Sequence, residues 1–318
     1  MNLIEEAAKR LQQLERAGIK TPVPVPAPHV DEPRAEPLPE VAVRVAQAQT
    51  RARPGPQVRA LDGRREPSLA PEPPATSNLR SIDLARLRAA GFITPGSADS
   101  KLLHEFRIIK RPLIQNALGK GAAPVARGNL VMVTSSLPGE GKSFVSLNLA
   151  MSMAMEVDCR VLLVDADVLK PSLPRLLGIQ RERGLMDVLT TPGVGIGDVL
   201  LKTNVPSLDL LLAGSPHGEA SEVLASDAMH KLLDELSSRY PDRIIVFDSP
   251  PLLATSESRV LASGMGQVLL VVEAERTTHG TLESALSTIE SCPVVLTMLN
   301  KAAGAEHGSY YGYYGYGE

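Results

Sequence analysis

Ser135-Ser136-Leu137-Pro138-Gly139-Glu140-Gly141-Lys142-Ser143 decides the fold. An apolar run, Leu130–Ser135, leads into it, and a long stretch of helical character, Lys142–Met155, follows. Strand, glycine-bearing loop, then Gly-Lys-Ser opening a helix is the P-loop arrangement. Gly139 and Gly141 let backbone N–H groups close around phosphate oxygens, and the helix N-terminus adds its partial positive charge. Lys142 can reach the β- and γ-phosphates, and the Ser143 hydroxyl can ligate Mg²⁺. The pattern asks for Gly at its first place, where this chain has Ser136. The expected phosphate-binding set is Ser136, Pro138, Gly139, Glu140, Gly141, Lys142, Ser143 and Phe144.

Working outward, strands are expected at Leu130–Ser135, Arg160–Val164, Leu208–Ala213, Arg243–Phe247, Gln267–Val272 and Val294–Leu299. Helices fall between most of them, such as Lys142–Met155 and Glu222–Ser238. Apolar strands alternating with helices specify a parallel sheet covered on both faces. The fold class is therefore α/β: a P-loop NTPase fold with a mostly parallel sheet, preceded by a disordered N-terminal region. Two strands run into acids, Asp165-Ala166-Asp167 and Asp248-Ser249-Pro250-Pro251. In open α/β sheets ligands bind beyond the carboxyl ends of the strands, so these carboxylates point toward the phosphates held by Lys142. Asp248 reads as the Walker-B carboxylate that holds Mg²⁺ directly or through water. A single Asp after a strand is more simply a helix cap, but three beside a P-loop form a site.

The N-terminal text is different. Of 26 prolines, 13 lie in the first 80 residues, and no aromatic precedes Phe92. Thr21–Ser77 is Pro, Ala, Arg, Glu and Val, with too little apolar mass to offset the entropy of ordering. The expected organisation is an amphipathic helix over 1–18, a disordered linker over 19–78, the P-loop domain over 79–305 and a tail over 306–318. The first helix carries Leu3, Ile4, Ala7, Ala8, Leu11 and Leu14 at helical spacing. It either packs on its own core or serves as a tethered docking peptide. Within the domain, a helix is expected around Ile82–Leu87, and another over Ser100–Leu118 with an interruption or kink at Pro112.

Composition narrows the function. The formal charge is −3, which gives no bulk reason to bind nucleic acid. Cys159 and Cys292 are too few for a disulfide scaffold and suit a reducing compartment. No apolar run approaches the ~20 residues of a bilayer span, and Glu5 and Glu6 lie where a signal peptide carries bases. A soluble, cytoplasmic protein is expected, with any membrane recruitment coming through a partner.

Asp165-Ala166-Asp167-Val168-Leu169-Lys170-Pro171 resembles the Walker A′ motif of bacterial tyrosine kinases, and Phe247-Asp248-Ser249-Pro250-Pro251 resembles their Walker B. The stretches Ile4–Leu11 and Phe106–Leu113 are similar to the branch linked to exosortase-associated exopolysaccharide clusters. The resemblance implies ATP and Mg²⁺ as cofactors and Asp165, Asp167 and Lys142 as catalytic groups. It implies Ser143, Asp165 and Asp248 around the metal, and Asn300 against adenine. Partners implied are a separate inner-membrane chain-length or co-polymerase activator, other copies of the chain phosphorylating in trans, and a cognate tyrosine phosphatase. Recruitment would then be to the inner face of the membrane.

Two departures from that family stand out. Leu169 occupies the place of a common Arg, with Lys170 beside it. His104, Arg107 and Lys110 fall where relatives have a Glu-x-x-Arg-x-x-Arg ring contact, with Glu105 displaced by one. Arg107 and Lys110 read equally as ring contacts or as an ordinary solvated face. Glu257 reads either as support for the metal site or as a helix-start acid.

Five of six tyrosines, Tyr310, Tyr311, Tyr313, Tyr314 and Tyr316, lie in the last nine residues, interleaved with glycine. Glycine keeps such a segment mobile, able to present one hydroxyl after another to an active site. Beside a kinase-like P-loop, these are expected acceptors in a protein-tyrosine autokinase acting in exopolysaccharide synthesis. The alternatives are a partitioning-type ATPase switch, whose early signature Lys is Leu137 here, and a non-catalytic nucleotide-binding scaffold.

Overall fold

The computed structural model describes residues 78–97, 100–240 and 242–302. They all belong to the second of the chain's two units, Ala70–Glu318. The expected N-terminal helix over 1–18, all but the last residue of the linker, and the tyrosine tail lie outside the described residues.

Short elements open the domain: β1 (Leu79–Arg80), α1 (Leu84–Ala89) and α2 (Lys101–Ala117). The phosphate-loop unit follows as β2 (Leu130–Ser135), α3 (Lys142–Ala154) and β3 (Arg160–Asp165). Next come α4 (Leu173–Leu177), α5 (Leu185–Thr190), α6 (Ile196–Val199), β4 (Leu201–Thr203) and β5 (Leu208–Leu211). The remainder is α7 (Ala220–Leu224), α8 (Asp227–Arg239), β6 (Arg243–Asp248), α9 (Glu257–Ser263), β7 (Gln267–Glu273), α10 (His279–Leu286) and β8 (Val294–Asn300). The strands form one sheet in the order β1-β4-β5-β3-β6-β2-β7-β8. Every pairing is parallel except β4 with β5.

Alternation along the strands divides the core in two. Val131, Val133, Val161, Leu163 and Val246 point to one face, where α1, α2 and α3 cover them. Leu130, Met132, Leu162, Val164 and Phe247 point to the other, under α5 through α10. Both faces are covered, which is why β2 and β6 read as unbroken apolar runs. Helix α3 sits deep, with every residue from Val145 to Ala154 buried.

Local structure differs from expectation at several points. α2 runs through Pro112 without a break. Ser100 caps its start by accepting from Leu103 N–H at 3.2 Å, and Leu103, Phe106, Lys110 and Leu113 hold its inner face. Pro112 is exposed, so its ring and missing donor fall on the solvent side. The helix expected at Glu222–Ser238 is two helices. Ser226 turns extended (φ −82°, ψ 161°), and its hydroxyl donates to Val223 O at 2.7 Å, separating α7 from α8. β1 and β4 were not foreseen, because two or three residues cannot carry a periodic signal. They are held by side chains: Asn204 accepts from Ile82 N–H at 2.9 Å and donates to Ile82 O at 3.1 Å.

Lys110 belongs neither to a solvated face nor to a free contact surface. It is buried, donates to Ser152 O at 2.6 Å and pairs with Glu156 at 2.7 Å, fastening α2 to the end of α3. His104 and Glu105 are exposed on the same helix.

Gly184, at the start of α5, has no room for a side chain. A Cβ there would stand 1.9 Å from Leu212 O. The close approach lets Leu185 N–H and Met186 N–H donate to Leu212 O and Ala213 O at 2.8 and 3.0 Å.

Candidate functional site

Three adjacent strands end together and build the site. β2 lies between β6 and β7, and β6 lies between β2 and β3. The loop after β2 carries the P-loop. In register, Asp165 of β3 pairs with Asp248 of β6, and Asp248 with Val133 of β2. Neighbouring strands stand about 4.8 Å apart, so the pairing sets two carboxylates side by side at the mouth of the loop. Gly139 and Gly141 have φ of 91° and 100°, left-handed values that a side chain resists.

Lys142 Nζ donates to Asp167 Oδ2 at 2.8 Å. Asp167 Oδ1 in turn accepts from Lys170 N–H at 3.2 Å. Burial would lower the Lys142 ammonium, but Asp248, Asp167 and Asp165 outweigh it and hold the group above its usual range. Asp248 is fully buried. It faces the Ser143 hydroxyl and accepts from Ser146 Oγ at 3.1 Å and Ser172 Oγ at 3.3 Å. Burial still pushes its carboxyl up, against the pull of Lys142.

Asp165 accepts from Leu173 N–H at 3.1 Å through Oδ2, while Oδ1 is buried without a partner. Burial, and then the neighbouring Asp248, push this carboxyl up to about 8. Three acidic groups face one ammonium in a buried pocket. That arrangement, with an orphaned carboxylate oxygen, fits a divalent cation. No closed cage of three or more His, Cys, Asp or Glu is present among the described residues. Mg²⁺ is bound through one or two carboxylates and fills its shell with water and phosphate oxygens.

The loop after Asp248 is tied to β2. Thr134 Oγ1 donates to Pro250 O at 2.8 Å, Ser249 Oγ to Val133 O at 2.9 Å, and Leu252 N–H to Ser135 O at 2.8 Å. These bonds fix both acidic and phosphate-binding loops on one rigid edge.

Other expected residues are placed differently. Pro138 and Gly139 are exposed on the loop, while the Ser136 hydroxyl is buried with no partner. The Glu140 carboxylate is buried and turned into protein: it accepts from Leu137 N–H at 2.8 Å and from the Thr277 hydroxyl. Phe144 packs against Phe92 with tilted rings, centroids 5.0 Å apart, and lines a 280 Å³ cavity with Leu102, Glu105, Met298, Asn300 and Lys301. The Asn300 amide donates to Glu140 O at 2.8 Å. Leu169 and Lys170 are exposed, and what reaches Asp167 is the Lys170 backbone. Glu257 is buried against the Ser221 hydroxyl, and that bond with its other donors holds its carboxyl low despite burial. The five acceptor candidates lie outside the described residues.

Sequence reading missed Ser146, Ser172 and Thr277; it marked Lys301 with Asn300 only as a place for adenine, whereas Lys301 Nζ donates to Gly139 O at 2.6 Å. Ser146 follows Lys142 by four, one helical turn along the same face, so its position could have been found. Ser172 and Thr277 come from distant segments and left no local signal.

Comparison with known proteins adds the following. A family model described as ParA, NUBPL iron-transfer P-loop NTPase, matches residues 127–257. EpsB of Ralstonia solanacearum, named for a tyrosine-protein kinase, is 38% identical over 169 residues, 53% of this chain and 22% of that protein. The chain thus spans 22% of the length of that curated relative. Tyrosine-protein kinase YwqD of Bacillus subtilis is 32% identical over 187 residues, 58% of this chain and 77% of that protein. Among solved structures, the kinase domain of Escherichia coli tyrosine kinase ETK superposes with a TM-score of 0.56. It shares 26% identity and covers 69% of this chain and 82% of that one.

Proposed function

The chain belongs to the bacterial tyrosine-protein kinase family, and on that premise we propose that it is an ATP- and Mg²⁺-dependent protein-tyrosine autokinase. The observation that carries the reading is the Lys142–Asp167 pair set beside two in-register carboxylates at the mouth of a P-loop.

Each group has a part. Backbone N–H groups from Gly139 to Phe144 bind the phosphates, and Lys142 compensates charge on the β- and γ-phosphates. Ser143, Asp165 and Asp248 would hold Mg²⁺, which supplies charge neutralisation on the phosphates. A tyrosine O–H enters from the Asp167 side. Its oxygen forms the new P–O bond, the bridging β–γ P–O bond breaks, and ADP leaves. The phenolic proton passes to a carboxylate of the Asp165–Asp167 pair. The base is assigned to the cavity beside Phe144 and Asn300.

The acceptors are Tyr310, Tyr311, Tyr313, Tyr314 and Tyr316, supplied in trans by other copies of the chain. A separate inner-membrane chain-length or co-polymerase protein is assigned as activator, and a cognate tyrosine phosphatase resets the cluster. Through these the chain regulates exopolysaccharide synthesis or export at the inner face of the membrane. No helix among the described residues is long and apolar enough to cross a membrane.

The test is to incubate the full chain with labelled ATP and Mg²⁺, with and without the activator's cytosolic segment, and map the label. Label on the tail tyrosines supports the reading. ATP hydrolysis with no phosphotyrosine would favour a partitioning-type switch instead.

A further inference from the structure

The P-loop is gripped from outside by the end of β8. Asn300 closes that strand, and Lys301 follows with φ of 57°, a left-handed value unusual for a lysine. Asn300 Nδ2 donates to Glu140 O at 2.8 Å, and Lys301 Nζ donates to Gly139 O at 2.6 Å. Lys301 is itself set by Glu273 Oε1 at 3.1 Å, while Arg276 pairs with the other oxygen of that carboxylate at 3.1 Å. Thr277, one residue on, bonds the buried Glu140 side chain.

The two gripped carbonyls belong to consecutive peptides, Gly139–Glu140 and Glu140–Gly141. In a planar trans peptide the C=O and N–H point opposite ways. Holding both carbonyls toward β8 therefore turns the N–H groups of Glu140 and Gly141 away from it, toward the side where such a loop holds phosphate. Neither N–H donates to a protein acceptor among the described residues. Gly141 makes the grip possible, since a Cβ there would stand 2.1 Å from Asn300 Nδ2.

We propose that Asn300 and Lys301 are positioning residues for the triphosphate, acting through the P-loop backbone rather than on the base. The inference rests on the nucleotide-binding reading above and changes what Asn300 does within it. A residue that orients phosphate-binding amides affects any ligand carrying the phosphates. A residue that touches adenine affects only ligands that have the base.

Full-length wild type, Asn300→Ala, Lys301→Met and Lys301→Arg are compared for displacement of a fluorescent ATP analogue. The competitors are ATP and inorganic tripolyphosphate, each with Mg²⁺. Asn300→Ala and Lys301→Met should each weaken both competitors by the same factor, about three- to ten-fold, the net worth of one hydrogen bond. Lys301→Arg should recover most of the loss. The comparison of two competitors on one folded sample separates a binding effect from a general loss of structure. Weakening of ATP alone overturns the proposal in favour of a base contact. Unchanged binding of both competitors overturns it too, as does wild type displaced by ATP but not by tripolyphosphate. Wild type that binds neither the analogue nor ATP removes the nucleotide reading itself, an outcome distinct from the others.

Discussion

Asp165→Asn should stabilise the nucleotide-free protein while stopping its chemistry. Asp165 is fully buried, bonded only through Oδ2 to Leu173 N–H, with Oδ1 unpartnered and Asp248 beside it in register. Burial and Asp248 raise its carboxyl to about 8 from an ordinary value of 3.8. The folded chain then binds a proton more tightly than the unfolded chain does. The proton's contribution to stability is fully present below about pH 4 and is lost as pH rises toward 8. A rise of about four pH units corresponds to a ceiling of roughly 6 kcal/mol at 1.36 kcal/mol per unit. Relaxation and water entry reduce the penalty for one buried ion to several kcal/mol, so a gain of about 1–4 kcal/mol lies within the ceiling. Asparagine keeps an acceptor for Leu173 N–H and offers Asp248 a donor. Urea unfolding in EDTA should therefore find the variant more stable than wild type by about 1–4 kcal/mol at pH 8.5, with the gap closing near pH 5. Autophosphorylation with Mg²⁺ and ATP should fall by at least ~10²-fold. A variant less stable than wild type at pH 8.5, or a gap that ignores pH, would refute the charge argument.

Other outcomes follow from the same geometry. Lys142→Met should abolish tyrosine phosphorylation and, by leaving Asp167 without its 2.8 Å partner, lower neutral-pH stability by about 3 kcal/mol in thermal or urea melts; normal phosphorylation would remove the P-loop assignment. Replacing Tyr310, Tyr311, Tyr313, Tyr314 and Tyr316 together with Phe should eliminate most label while ATP binding survives; full labelling elsewhere would reject the tail as acceptor. Gly184→Ala, whose new Cβ would stand 1.9 Å from Leu212 O, should cost about 3 kcal/mol or more in urea melts, and a loss under 1 kcal/mol would mean the α5 turn yields easily.

What the sequence made legible follows the range of each interaction. The P-loop and its flanking strand and helix are contiguous, so residues 130–155 carry their own signal. The acids at Asp165 and Asp248 were legible because strand ends of a parallel sheet share one edge, whatever the strand order. Their mutual effect was not, since it depends on the register that pairs Asp165 with Asp248 across β3 and β6. Lys110 shows the limit most clearly. Its spacing from Arg107 matches a surface motif, yet its ammonium is spent inside the subunit on Ser152 and Glu156. Spacing fixes which face of a helix a residue occupies. It does not fix what the neighbouring helix presents there.

The same distinction explains why the P-loop edge is more complicated than its motifs. A P-loop motif names the residues whose backbone meets phosphate, but a loop with two glycines at φ above 90° has little intrinsic reason to hold one shape. Its shape comes from outside the motif: from Leu253 N–H on Ser136 O, from Thr277 on the Glu140 side chain, and from Asn300 and Lys301 on two successive carbonyls. The constraints arrive from the ends of β6, β7 and β8, which the sheet order places on both sides of β2. Glycine supplies the conformations and the surrounding strands select among them. Substitutions at these outer contacts should therefore act on phosphate binding even though no phosphate touches them.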